Sequence, residues 1–182
     1  MCLECDGWTD DEIYDHYDEL IAAYGWMVQH IGGGALAEPP WSYTIGLSAG
    51  FDHPELVVVR LSPERAIAVL NDLARRAANG ERFVPGTVAE NAAGTLEVTF
   101  AEVHPLQWET PVFTMWRHYY AARGRAPDQR ALQVVLPVDM VGPRARRWQP
   151  CLDDPEVVIG GDPDRPSRHP RHQHRRSTRR RR

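Results

Sequence analysis

Apolar residues recur at helical spacing in three stretches of the chain. The first stretch follows Thr9, and Glu12 three residues later completes the spacing of a capping box. One face of this predicted helix is apolar and is expected to be buried: Ile13, Tyr17, Leu20, Ile21 and Tyr24. Gly25 follows as a stop signal, so we expect a helix that begins after Thr9 and ends before Gly25.

Two further helices are predicted from similar signals. Ser62 and Pro63 suit the N-cap and the first position of the second helix, which should end at Asn79-Gly80. Its expected buried stripe is Ala66, Ile67, Leu70, Leu73, Ala74 and Ala77. A third helix should begin at Thr110-Pro111. Its apolar face is Val112, Met115, Trp116 and Tyr119.

Other stretches have the patterns of strands. Residues 26–31 and 95–103 are predicted strands, and residues 41–47 alternate apolar with small or polar side chains, which predicts a half-buried strand. Residues 56–61 form a continuous apolar run, typical of a central strand, and residues 131–136 form the last strand. A flexible loop is expected at residues 48–50.

The predicted order is α-β-β-β-α-β-α-β, in which strands follow one another without a helix between them. This order and the alternating strands favour an α+β fold with a mainly antiparallel or mixed sheet and about three packed helices. The length of 182 residues suits a single domain. We expect that domain at residues 1–150, a linker at 151–164, and a disordered Arg/His-rich tail at 165–182.

Charge separates the predicted domain from the predicted tail. The overall net charge is −4, yet residues 165–182 carry nine arginines and no acidic residue. Such a segment is suited to nonspecific binding of nucleic-acid phosphates. The alternative is a solvated extension with no binding role. The arginines closest to the end of the tail are the candidates for this contact: Arg175, Arg176, Arg179, Arg180, Arg181 and Arg182.

The composition also bears on the compartment. No apolar run approaches the roughly 20 residues that span a bilayer, and the first residues lack the basic and apolar regions of a secretory signal. Three cysteines are too few for a disulfide framework and suit a reducing environment. We therefore expect a cytoplasmic protein with no membrane partner.

Several short motifs, in this order, resemble those of one family. The motifs are CLECD at 2–6, YGWMVQ at 24–29, WSYTIGL at 41–47, HPELVV at 53–58 and RALQVV at 130–135. The turn Gly80-Glu81-Arg82-Phe83 also fits. Over residues 1–150 the chain resembles bacterial members of the Domain of Unknown Function 4262 family. The resemblance implies no activity, since none is assigned to that family.

Cys2 and Cys5 have the spacing of half a zinc site and also that of a thioredoxin-type redox pair. A thioredoxin-type redox pair normally follows a strand, and no strand is predicted before Cys2, which argues against the redox interpretation. The zinc interpretation needs two more ligands, for which the candidates are Cys151 and one of His16, His30 or His53. The resemblance implies a His-Pro pair after Asp6, whereas Gly7-Trp8 follows here. Zinc is therefore considered but not favoured, and an unliganded pair is preferred.

The segment from Tyr43 to Glu55 is the best candidate site, because functional side chains collect in loops that a rigid sheet supports. His53 is the candidate acid or base, with Glu55 to orient it, and Tyr43 and Thr44 are candidate hydrogen-bonding groups to a ligand. We place His53 in the wall of the main pocket as a hypothesis. The alternative, which we favour, is turn chemistry in which His53 bonds a backbone carbonyl.

Aromatic residues could line a pocket for a planar ligand, although such residues at strand and helix periods usually form the core: Trp26, Trp41, Trp108, Trp116, Tyr119 and Tyr120.

Three classes of function remain open. The sequence favours a module that binds a ligand or a protein partner. The alternatives are a small enzyme centred on His53, and a nucleic-acid associated protein that acts through its tail.

Overall fold

Helices and strands follow the predicted order with additions. The computed structural model describes residues 7–32, 39–90, 97–136 and 152. The helices are α1 (Asp10–Tyr24), α2 (Leu47–Gly50), α3 (Pro63–Ala78) and α4 (Thr114–Ala122), with 3-10 turns at Pro105–Glu109 and Pro111–Phe113. The strands are β1 (Met27–Ile31), β2 (Trp41–Ile45), β3 (Glu55–Val59), β4 (Val88–Glu90), β5 (Glu97–Glu102) and β6 (Ala131–Val135).

The strands form one mixed sheet in the order β1-β2-β3-β6-β5-β4. β3 and β6 run parallel, whereas the other neighbours are antiparallel. The prediction of an α+β fold with a mainly antiparallel or mixed sheet is confirmed. β3 lies in the middle of the sheet, as the apolar run predicted, and β1 is an edge strand.

The local signals fix the ends of α1. Thr9 and Glu12 form the predicted capping box, in which the Thr9 backbone N–H donates to Glu12 Oε2 over 2.8 Å. Gly25 ends the helix with φ +90°, a conformation that glycine adopts at little cost. The expected buried stripe is wrong at its last member, because Tyr24 is 67% exposed.

Both faces of the sheet are covered. One face packs on α1, α4 and the 3-10 turns through an aromatic core that includes Tyr17, Tyr43, Trp108, Phe113 and Trp116. The other face packs on α3 through an aliphatic core that includes Leu56, Val58, Leu70, Leu73 and Val134.

The double cover explains why the prediction of a half-buried β2 is wrong. All five residues of β2 are buried, including Ser42 and Thr44. Trp41, Tyr43 and Ile45 belong to the aromatic core, as expected, whereas Leu47 belongs to the aliphatic core.

Three other local expectations are corrected. Residues 48–50 are not a loop, because they belong to the helical turn α2. The third helix begins later than predicted, since a 3-10 turn occupies Pro111–Phe113 before α4 starts at Thr114. The short strand β4 was not predicted at all.

Among the described residues, no helix combines the length and the apolar character that crossing a membrane requires.

Candidate functional site

Glu55 is a buried acidic residue whose side chain is held by a network of hydrogen bonds. It is the first residue of β3, at the end of the sheet where the chain turns from β2 through α2, and its side chain is fully buried. No cation pairs with this carboxylate in the described part of the chain. Its two oxygens instead face hydrogen-bond donors from β2, α2 and α4.

Oε1 of Glu55 is surrounded by four donors. The backbone N–H groups of Gly46 and Ser48 donate to it over 3.1 and 3.2 Å. The Ser48 hydroxyl donates over 2.7 Å, and the indole N–H of Trp116 reaches it from α4 over 3.3 Å. The carboxylate therefore holds the first turn of α2 and ties α4 to the end of the sheet.

Oε2 of Glu55 completes the network. It accepts from the Thr44 hydroxyl over 2.7 Å and from the Leu47 backbone N–H over 3.4 Å. The Thr44 oxygen in turn accepts the backbone N–H of Leu56 over 2.9 Å. A threonine side chain thus supplies the hydrogen bond that the strand ladder would otherwise make where β2 and β3 diverge.

Burial raises the pKa of Glu55, and the hydrogen bonds from Thr44, Ser48 and Gly46 oppose that rise. The backbone and indole N–H groups around it can only donate, so the surroundings suit the ionised form. We therefore take Glu55 as a carboxylate near neutral pH. The Tyr120 hydroxyl lies near this cluster, and burial raises the pKa of Tyr120 with a further contribution from Glu55.

His53 is also buried inside the fold, and among the described residues no hydrogen bond joins it to Glu55. Its ring nitrogen Nδ1 lies 2.7 Å from the Pro54 carbonyl oxygen, and Nε2 accepts the backbone N–H of Phe83 over 3.4 Å. The Phe83 ring meets the imidazole edge to face at 5.5 Å between centroids. This is the turn chemistry that we favoured from the sequence, because both ring nitrogens are committed to the backbone.

The two bonds define a neutral imidazole with the proton on Nδ1. Burial lowers the pKa of His53, and the guanidinium groups of Arg82 and Arg130 lower it further, against the Pro54 bond that raises it. A proton on Nε2 would point at the Phe83 N–H. The fold therefore favours the uncharged ring.

We expect His53→Ala to lower the free energy of unfolding by about 1–3 kcal/mol at pH 8, because the Pro54 carbonyl and the Phe83 N–H lose their partner. The unfolded chain binds a proton at His53 below about pH 6.5, whereas the folded chain binds that proton only at a lower pH. The contribution of His53 to the free energy of unfolding is thus complete above that pH. It is lost as the pH falls towards the lowered pKa of His53 in the folded state. Urea unfolding of parent and variant between pH 8 and pH 5 should show the two curves converging.

His118→Ala is the matched control, since this histidine of α4 is exposed and makes no described hydrogen bond. It should change the unfolding free energy by less than about 0.5 kcal/mol at every pH. A difference between parent and His53→Ala that stays constant or widens as the pH falls would contradict the neutral, bonded imidazole.

The four residues of the predicted site are only partly brought together. Thr44 and Glu55 share a hydrogen bond, whereas Tyr43 points to the opposite face of β2 and packs on Phe113 with 5.3 Å between ring centroids. His53 lies on neither of the two cavities described along the surface. The structure thus supports a polar hub at Glu55 and Thr44, with His53 as a separate structural residue.

The other candidate groups fall outside the described residues. Cys2, Cys5 and Cys151, and the tail from Arg175 to Arg182, lie there, so the zinc and nucleic-acid hypotheses stay predictions. Within residues 7–32, 39–90, 97–136 and 152, no three His, Cys, Asp or Glu side chains come together as metal ligands would.

A groove that the sequence did not predict lies beside the edge strand β1. Its volume is about 430 Å³, and α1, β1 and α3 contribute its walls. The lining residues are Leu20, Tyr24, Trp26, Met27, Val28, Ile67, Asn71 and Arg75. The helical period places Ile67, Asn71 and Arg75 on one face of α3, four residues apart.

Six of the eight residues that line the groove are apolar or aromatic, and its side-chain polar groups belong to Tyr24, Trp26, Asn71 and Arg75. The indole N–H of Trp26 donates to Asn71 Oδ1 over 3.0 Å, which fixes both side chains. Tyr24 is 67% exposed and Ile67 is 40% exposed. The aromatic residues predicted for the core are buried there, with the exception of Trp26, which is partly exposed in this groove.

Comparison with known proteins identifies the family of the chain but no activity. No curated protein and no solved structure matches the chain. The family described as "Domain of unknown function (DUF4262)" matches residues 20–140, which include α1 from Leu20, all six strands, and the other helices. Because this match covers more than half of the 182 residues, the chain belongs to that family.

Proposed function

We propose that this domain is a binding module for a small ligand, which it holds in the groove between α1, β1 and α3. The observation that carries the proposal is the groove itself, where two large apolar side chains remain exposed, Tyr24 from α1 and Ile67 from α3. Ligand sites are typically concave, mostly apolar and about 300–1,000 Å³ in volume, with a few fixed polar groups. The volume of the groove lies in this range, six of its eight lining residues are apolar or aromatic, and the Trp26–Asn71 hydrogen bond fixes two of its polar groups.

The alternative of an enzyme centred on His53 has less support. A catalytic acid or base needs to reach a substrate, whereas His53 and Glu55 are both fully buried and their polar atoms are bonded within the fold. The family resemblance and the odd number of cysteines favour a bacterial, cytoplasmic setting for the binding module.

A neutral dye tests the groove without any assumption about ligand charge. We expect Nile red to bind the full chain saturably with a rise in fluorescence, because the groove offers an apolar surface. Ile67→Glu should weaken binding at least about tenfold, since it places a carboxylate in the wall. The measurement is a fluorescence titration at fixed protein concentration, with thermal unfolding of each variant to confirm that it is folded.

Leu106→Glu is the matched control, because Leu106 is 57% exposed and lies on a 3-10 turn that does not line the groove. Its affinity for the dye should equal that of the parent. If the dye does not bind the parent, or binds the Ile67 and Leu106 variants equally well, the groove is not the binding site.

A further inference from the structure

We propose that the groove selects a small amphipathic monocarboxylate, whose apolar body lies on the aromatic wall and whose carboxylate meets Arg75 and Asn71. This inference rests on the proposed function and names the class of ligand. It follows from which polar groups face the groove and from the charge that they carry.

The side-chain polar groups of the groove that remain available are the Asn71 amide NH2, the Arg75 guanidinium and the Tyr24 hydroxyl, and of these only the hydroxyl can also accept. Asn71 uses Oδ1 to accept the Trp26 indole N–H, so its amide NH2 is the part left for a ligand. Arg75 offers a planar guanidinium with five N–H donors, and its geometry matches that of a carboxylate. None of the eight lining residues is acidic.

Arg75 is accessible and only weakly engaged. Its side chain is 63% exposed, and it makes one long ion pair, 3.7 Å from Nη1 to Asp72 Oδ1, which is beyond hydrogen-bonding distance. Within the described residues the guanidinium has no hydrogen bond. It therefore keeps its donors for a ligand, at one end of the row formed by Ile67, Asn71 and Arg75.

The balance of charge favours one negative charge on the ligand over two. The groove offers a single cation, and the Asp72 carboxylate already offsets part of its field. A monocarboxylate carries one charge at neutral pH, whereas a phosphate monoester carries close to two. The apolar wall formed by Leu20, Tyr24, Trp26 and Ile67 needs a hydrophobic body attached to that charge.

Three probes with one ring system and different charges test this class. We would measure the affinities of 2-naphthoate, 2-naphthamide and 2-naphthylmethylammonium for the full chain by calorimetry at low salt. The naphthoate should bind at least about threefold more tightly than the amide, and the ammonium more weakly than both. Arg75→Gln should remove the advantage of naphthoate and leave the affinity for the amide unchanged. Arg65→Gln is the control, since this exposed arginine of α3 does not line the groove.

The outcomes separate the two proposals. If none of the three probes binds, the groove is not a ligand site and the proposed function fails with the inference. If the amide binds but the naphthoate is no tighter, or if Arg75→Gln does not affect its advantage, only the choice of a carboxylate is overturned. An equal loss of naphthoate affinity in Arg65→Gln would show that general charge, and not Arg75, attracts the acid.

Discussion

Glu55→Gln is expected to lower the free energy of unfolding by about 2–4 kcal/mol at pH 7, because each buried donor left without an acceptor costs about 1–3 kcal/mol. An amide has one acceptor oxygen and one NH2 group, whereas both carboxylate oxygens of Glu55 accept from N–H groups. With its oxygen towards Gly46 and Ser48, the amide would direct its own hydrogens at the Leu47 N–H. Urea unfolding, followed by far-UV circular dichroism, measures the loss.

The same substitution decides the charge of Glu55. A protonated carboxyl resembles an amide in having one donor and one acceptor side, so glutamine would replace it at little cost. Glu102→Gln serves as the control, because Glu102 is an exposed residue of β5, and it should cost less than about 0.5 kcal/mol. If the Glu55 variant costs no more than this control, the ionised hub is refuted and Glu55 is protonated in the fold.

The sequence allowed the elements with strong local signals to be predicted. The capping box at Thr9 and Glu12 and the stop at Gly25 involve residues within a few positions of each other, so they mark α1 almost to the residue. The run around Leu56 marks β3 because a strand covered on both faces needs apolar residues on both. These elements also make up much of the frame that holds the candidate site.

Elements held by distant side chains were not predictable. Residues 48–50 were predicted to form a loop because all three are small. The Glu55 carboxylate, seven residues beyond Ser48, nevertheless accepts N–H groups at the start of α2 and stabilises a helical turn there. β4 is three residues long and two of them are exposed, so it has too little pattern to be recognised.

The candidate site was partly misjudged for a related reason. His53 follows a turn and precedes a strand, which suggested a position at the mouth of a cleft. Phe83, thirty residues later, covers it and donates its backbone N–H to the ring. Conversely, Tyr24 and Ile67 belong to regular apolar stripes, and periodicity alone does not show that nothing packs over them.

The second large effect is expected from Gly46→Ala, which should lower the free energy of unfolding by about 2–5 kcal/mol. Gly46 has φ +121°, a conformation that residues with a side chain rarely adopt. A Cβ atom there would lie 2.8 Å from the Gly25 carbonyl oxygen and 3.0 Å from Trp26 Cα. Both contacts are with backbone, so the turn that follows β2 and the end of α1 would have to move apart.

Gly80→Ala separates the two contributions, because Gly80 has φ +96° but nothing within 4 Å of the added Cβ. It should cost only the conformational strain, about 1–2 kcal/mol, and leave the groove intact. Gly46→Ala should cost more and also weaken Nile red binding, since Trp26 carries part of the groove wall next to the displaced backbone. Equal losses of stability in the two variants would mean that the backbone at Gly46 can shift away from Gly25 at no cost. Unchanged Nile red binding by Gly46→Ala would mean that the close packing of Gly46 on Gly25 does not hold Trp26 in place.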